Sequence, residues 1–134
     1  MLQPKKQKFR KQFRGKMAGT SIRGSNVDYG EYGLKAMDRG WLSARQIEAA
    51  RKAIVKYTHR GGKVWLRVFP DKPTTKKALG TRMGSGKGDI FQYVSVVRPG
   101  RILFEIAGVP GDVASKAFKN AGAKIPFKTK LVAK

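Results

Sequence analysis

An α+β fold is predicted by three features of the chain: a capped amphipathic helix near its middle, several short β-branched runs, and a second short helical pattern near its end. Strands this short favour a small antiparallel or mixed sheet with the two helices packed on one face. The length of 134 residues suits a single domain, residues 1–134, since ~100–200 residues per domain is usual. Texture then divides the chain into a basic arm over 1–27, an α+β core over 28–134, and a hairpin loop within it at about 71–90.

The arm opens MLQPKKQKFRKQFRGK, contains no acid, and has few large apolar residues apart from Phe9, Phe13 and Ile22. Such a segment buries too little surface to offset its ordering entropy, so it is expected to become ordered on a partner. A transit peptide would need an amphipathic helix, and Gly15, Gly19 and Gly24 interrupt any helical face. The segment also lacks the apolar core of a secretory signal, and reads as a mature functional arm.

The clearest helix begins at Ser43. Ser43-Ala44-Arg45-Gln46 has capping-box spacing, in which hydroxyl and amide satisfy orphan backbone donors reciprocally. The helix is expected to run to about Arg60, where Gly61-Gly62 supplies a stop. At about 100° per residue, Ile47, Ala50, Ile54, Tyr57 and Thr58 share the inner face and Arg45, Lys52 and Lys56 the outer one. Val64–Phe69 follows as a strand stopped by Pro70. Phe91–Val97 and Ile102–Ile106 read as two strands joined at the turn Arg98-Pro99-Gly100-Arg101. Pro110-Gly111-Asp112 opens a second helix with Asp112 as N-cap, Val113, Ala117 and Ala121 inward, and Gly122 at its end. Phe127–Val132 alternates and adds a last strand.

Charge narrows the function. Thirty Lys and Arg against eight Asp and Glu give a formal net charge of +22, far more than solubility needs. A polyanionic partner whose phosphates neutralise the surplus explains it best. Nucleic acid is the first candidate and an anionic membrane surface the second. No apolar run approaches the ~20 residues of a bilayer span. With no Cys, disulfides and thiolate metal sites are absent, which suits a reducing compartment.

Catalytic patterns fail on inspection. The loop Thr81-Arg82-Met83-Gly84-Ser85-Gly86-Lys87-Gly88 resembles a P-loop, but Thr81 stands where the first glycine belongs and Gly88 where a Mg²⁺-binding hydroxyl belongs. His59 is the sole histidine, and the eight acids show no spacing suited to general acid–base work. No enzyme, cofactor or metal is expected.

Binding is the better reading. Glycines let backbone N–H groups approach phosphate closely, and cations add charge-assisted bonds. The candidate RNA-binding residues are Lys5, Lys6, Lys8, Arg10, Lys11, Arg14, Lys16 and Arg23 in the arm, then Arg45, Lys52 and Lys56 on the helix. Lys72, Lys76 and Lys77 lead into the Gly-rich loop, and Lys128 and Lys130 lie near the end. Arg45 sits in a first helical turn, where the dipole disfavours a cation and favours an external anion. Trp65 and Phe69 are expected in or half in the core, whereas Phe9 and Phe13 have little local core to join and suit stacking on bases or filling RNA crevices. A general nucleic-acid chaperone, a small DNA-binding protein and a membrane-surface peptide are alternatives. The sequence has no helix-turn-helix, zinc-finger or basic-zipper pattern, and its arm lacks an amphipathic face.

Along nearly its whole length the chain resembles bacterial-type large-subunit ribosomal protein sixteen. The resemblance rests on MLQPKK with KFRK, GLKAM, SARQIEAARKAI, GGKVWLRVFPDKP, TRMGSGKG, PGRILFEIAGVP and AKIPFKTK. It implies a hammerhead-like strand arrangement and a place near the base of the central protuberance. The partners it implies are large-subunit ribosomal RNA, tRNA and neighbouring ribosomal proteins, with no membrane and no homo-oligomer. The implied setting is the cytoplasmic ribosome, an organelle ribosome being the other option. Family members join the subunit late and help shape the path of aminoacyl-tRNA. Arg82, Met83, Gly84, Ser85, Gly86 and Lys87 match the loop that reaches towards the peptidyl-transferase centre, and Lys5 to Lys16 the RNA-embedded N-terminus. Two departures stand out: Phe91-Gln92-Tyr93 replaces an acid followed by Tyr-Trp, and Phe13 replaces a common His.

Overall fold

Two antiparallel sheets, rather than one, carry the strands. A computed structural model describes residues 2–84 and 86–134 of the chain. In order, the elements are β1 (Tyr32–Ala36), β2 (Gly40–Ser43), α1 (Ala44–Tyr57), β3 (Lys63–Leu66), β4 (Lys72–Lys76), β5 (Asp89–Val97), β6 (Ile102–Ala107), α2 (Gly111–Gly122) and β7 (Thr129–Ala133). The four-stranded sheet runs β3-β6-β1-β7 and the three-stranded sheet β2-β5-β4. The fold is therefore α+β, as the sequence predicts. The turn Arg98–Arg101 does not close a hairpin: β5 and β6 belong to different sheets, and the turn hands the chain from one to the other.

The core lies between the four-stranded sheet and the helices. Helix α1 packs on α2, β2, β3 and β5, while α2 covers β1 and β7. Strand β6 is apolar throughout except at Glu105, and Ile102 to Ile106 are all buried. Helices cover one of its faces and the segment preceding β1 covers the other. Opposite Leu34 and Lys35 the register slips by one residue, so Leu103 and Phe104 both enter the core. Ile102 instead lies against Val27 and the edge of Gly33. Each such side chain, fully buried, contributes on the order of 1.5–3 kcal/mol.

Helix α1 starts as its capping box dictates. The Ser43 hydroxyl accepts from Gln46 N–H at 3.2 Å, and the Gln46 side chain accepts from Ser43 N–H at 2.9 Å. Its end comes earlier than expected, at Tyr57 rather than near Arg60. The Thr58 hydroxyl turns back to the Ile54 carbonyl at 3.0 Å. His59 and Arg60 adopt left-handed conformations, and Arg60 N–H donates to the Val55 carbonyl at 3.0 Å. That backward bond is a Schellman-type closure, which needs no glycine at its left-handed positions here. Gly62 serves a different purpose: its φ of 71° and the adjacent Ala107 carbonyl leave no place for a Cβ.

Other expectations are corrected by packing. Strand β3 stops at Leu66 rather than Phe69, because the chain must then cross to the second sheet, where β4 begins. Phe69 is consequently 45% exposed instead of joining the core, while Trp65 is half-buried. Asp112 is not an N-cap: Pro110 holds that position without a side-chain bond, and Asp112 sits in the first turn, where the helix dipole favours an acid. Ala114 and Phe118 join Ala117 and Ala121 in the core, whereas Val113 is only half-buried. The stretch expected as loop from 71 to 90 is a β-hairpin, with Lys72–Lys76 paired to β5 and only 77–88 between the strands. Buried Pro73 is tolerated because β4 is an edge strand.

Candidate nucleic-acid interface

Almost none of the positive charge is spent inside the protein. Among the described residues, ion pairs engage only Arg51, with Glu48 at 2.5 Å, and Arg67, with Glu105 and with Asp28 at 3.5 Å. Of thirty Lys and Arg, twenty-eight therefore have no carboxylate partner among the described residues. Glu48 is held below the usual carboxylate range chiefly by its bond from Arg51. None of the candidate residues named from the sequence is among the paired ones.

The fold gathers part of the arm onto the β4–β5 hairpin. Lys11 Nζ donates to the Lys87 carbonyl at 3.3 Å, Lys87 Nζ to the Gln12 carbonyl, and Lys72 Nζ to the Arg14 carbonyl. Arg14 and Lys72 also stand 5.2 and 5.4 Å from the centroid of the Trp41 ring. Lys87 Nζ stands 5.8 Å from the centroid of the Phe13 ring, so four cations meet here with carbonyls and two aromatic rings between them. Nearby, Lys16, Arg23, Lys72, Arg98 and Arg101 line a cleft of about 1310 Å³ in which Asp71 is the only acid among the described residues. Burial and the neighbouring Arg67 both push Arg101 below the ordinary arginine value. A charge so placed gains from an external anion.

Beyond the hairpin strands, Arg82, Met83, Gly84, Gly86 and Lys87 are exposed, Met83 almost fully. Lys77 Nζ donates to the Gly84 carbonyl at 2.7 Å, bracing the loop from within. Ser85 lies outside the described residues. Phe9 and Phe13 are 62% and 92% exposed, so neither joins the core. Lys5, Lys6, Lys8 and Arg10 are exposed along the arm and Lys76 along the hairpin, with Lys8 Nζ 5.5 Å from the Phe9 ring and Lys76 Nζ 5.1 Å from the Phe91 ring.

The remaining candidates lie elsewhere. Arg45, Lys52 and Lys56 are exposed on α1, whose first turn holds no acid. Lys52 and Lys56 face Lys116 and Lys124 across a groove between the two helices. Lys128 and Lys130 are exposed, and Lys130 pairs directly across the strands with Lys35. Like charges opposed in this way are destabilising, and an external anion would relieve them. Among the described residues no cluster of three or more His, Cys, Asp or Glu is arranged to hold a metal, and no helix is long and apolar enough to cross a membrane.

One feature escaped the sequence. Glu105 is wholly buried in β6, accepting from Tyr29 N–H at 2.9 Å and Gly30 N–H at 3.0 Å through Oε1 and from Arg67 Nη1 through Oε2. Burial raises the carboxyl, but the Gly30, Arg67 and Tyr29 bonds outweigh it and hold Glu105 below its ordinary value. The joint fastens the segment before β1 to the sheet. An acid inside the apolar run Ile102-Leu103-Phe104-Glu105-Ile106 was the available signal.

A basic protein with unpaired cations spread over arm, hairpin and helices matches known relatives closely. A 58%-identical relative is the large ribosomal subunit protein uL16 of Thioalkalivibrio sulfidiphilus, aligned over 98% of this chain and 96% of its own length. The protein of the same name from a Sulfurihydrogenibium species is 57% identical over the same shares. The sequence model of the ribosomal protein L16p/L10e family matches residues 4–132, and with this coverage the chain belongs to that family of structural, non-enzymatic ribosomal proteins.

Proposed function

We propose that this chain is a structural constituent of the large ribosomal subunit, working in the ribosome, and that it binds and positions RNA. The observation that carries the reading is the set of twenty-eight Lys and Arg without a carboxylate partner among the described residues. Phosphates drawn close by RNA folding repel one another, and cations held in fixed register offset that repulsion. Residues 1–27 act as the RNA-bound arm, and residues 28–134 fix the register. The tip of the β4–β5 hairpin, with Arg82, Met83, Gly84, Gly86 and Lys87 exposed, extends towards tRNA near the peptidyl-transferase centre. Neighbouring ribosomal proteins complete the surroundings, and the chain helps late subunit assembly.

Structured RNA hides its base edges in a deep, narrow groove, so phosphate and shape contacts dominate. Affinity for large-subunit ribosomal RNA should then fall steeply with salt, the logarithmic slope being about −0.7 to −0.9 per phosphate engaged. A slope near zero would remove the electrostatic mechanism. Crosslinking in cells should place the attached RNA in the large subunit around the path of incoming tRNA. Crosslinks scattered over messenger RNA would favour a general RNA chaperone instead.

A further inference from the structure

We infer that Tyr29 is a stacking platform for one unpaired nucleobase of the bound RNA, an inference that rests on the RNA-binding reading and adds to it a contact that is not electrostatic. Tyr29 is 62% exposed although it lies between buried Val27 and buried Gly30. Its ring stacks on Trp65 with centroids 6.3 Å apart and planes 23° apart, and the Arg67 guanidinium lies 5.0 Å from the ring centroid. Trp65 and Arg67 are two residues apart on an extended chain, so both point to the same side of the sheet. Both lie against the ring, and yet Tyr29 keeps most of its surface in solvent.

The platform is fixed. Tyr29 and Gly30 N–H groups are both held by Glu105, and Glu31 is bonded to Ile106 and Lys134 through the backbone. A Cβ on Gly30 would meet the Ile106 carbonyl at 2.7 Å, so the backbone sits directly on β6. An exposed aromatic whose backbone is already ordered costs a ligand little further entropy. Phe9 and Phe13, at least as exposed, stand on a segment with no helix or strand among the described residues.

Local charge selects the kind of ligand. Asp28 and Glu105 both reach Arg67, and Glu31 follows two residues after Tyr29, three of the eight acids in the chain. Asp28 is exposed, Arg67 is engaged by Asp28 and Glu105, and Lys134 Nζ donates to the Asp28 carbonyl at 3.4 Å. With these acids and the two cations largely offsetting one another, a phosphate gains little here, whereas a neutral base presents a π-face that stacks on tyrosine whatever its identity.

The test is filter binding of the whole chain to deproteinised large-subunit ribosomal RNA across a series of KCl concentrations. Tyr29→Ala should weaken binding by roughly 5- to 150-fold, the range for loss of one base–aromatic stack. The deficit should be the same at every salt concentration, and Tyr29→Phe should bind like the wild type. Tyr29→Leu, which still covers Trp65 but has no π-face, should share the loss even if the alanine variant folds poorly. Binding by Tyr29→Leu equal to wild type, a deficit that vanishes with salt, or a loss shared by Tyr29→Phe would each overturn the platform. A shallow salt slope in the wild type would instead overturn the RNA-binding reading on which the platform depends.

Discussion

Replacing Glu105 by Gln removes a charge from the core and almost nothing else. Volume and shape are kept, so packing around Phe104 and Ile106 should not change. If the amide oxygen keeps the Tyr29 and Gly30 N–H groups, the amide nitrogen faces Arg67, donor against donor. If the amide flips, Arg67 regains an acceptor and two backbone donors lose theirs. Breaking a buried ion pair costs about 3–5 kcal/mol. Arg67 is 13% accessible and retains Asp28 at 3.5 Å and the Asn26 carbonyl at 3.2 Å, which moves the expected loss to ~2–4 kcal/mol. Urea unfolding measures it without changing ionic strength, and the midpoint should fall while the slope stays constant. The acid limb gives a second reading. Glu105 is held below its ordinary value in the folded chain, so its contribution is fully present above the unfolded value and lost as pH falls through the folded one. The gap between wild type and variant should therefore close in strong acid. A loss below about 1 kcal/mol at neutral pH, the worth of an ordinary neutral hydrogen bond, would refute the idea that a charged joint fastens this segment.

Three other outcomes are expected. Ser43→Ala removes the hydroxyl half of the capping box and should cost ~1 kcal/mol in thermal or urea unfolding. Gly62→Ala should cost at least about 1–2 kcal/mol, because a left-handed backbone disfavours any Cβ and the Ala107 carbonyl already occupies the space. Arg82→Ala should leave the free protein's stability within ~0.5 kcal/mol, since the loop is exposed, while slowing translation or late subunit maturation in a strain carrying only the variant. Clear loss of thermal stability would make Arg82 structural.

Local signals in the sequence were sufficient where an element is stabilised locally. Ser43 and Gln46 define the start of α1 because both capping partners lie within one turn. Strand β6 declares itself through an apolar run interrupted only at Glu105. Strands β1, β2 and β4 were not legible, because each is at most five residues long and is held by partners distant in sequence. Division into two sheets was hidden for the same reason: Arg98–Arg101 has the composition of a hairpin turn, and only pairing decides whether its flanking strands meet. For the interface, composition supplied the cations but not their grouping. The meeting of Lys11, Arg14, Lys72 and Lys87 depends on contacts spanning more than fifty residues. The platform at Tyr29 depends on Glu105, 76 residues away.

These two charge patterns imply opposite responses to salt. Glu105 and Arg67 form a desolvated pair that mobile ions screen weakly, so the joint should persist at high ionic strength. The twenty-eight unpaired cations, most of them exposed, repel one another through solvent, which added salt screens well. The Lys35–Lys130 pair across β1 and β7 is a specific instance. Without RNA, the free chain should therefore gain stability as KCl is added, whereas most exposed ion-paired surfaces lose it. Relief of ~1 kcal/mol would raise the melting temperature by roughly 3–5 °C for a chain of this size. Glu105→Gln should show the same increment as the wild type, since the repulsion lies elsewhere. A melting temperature that stayed flat or fell with KCl would mean that the cations are accommodated within the free fold, and the case that their surplus exists for an external polyanion would lose its energetic basis.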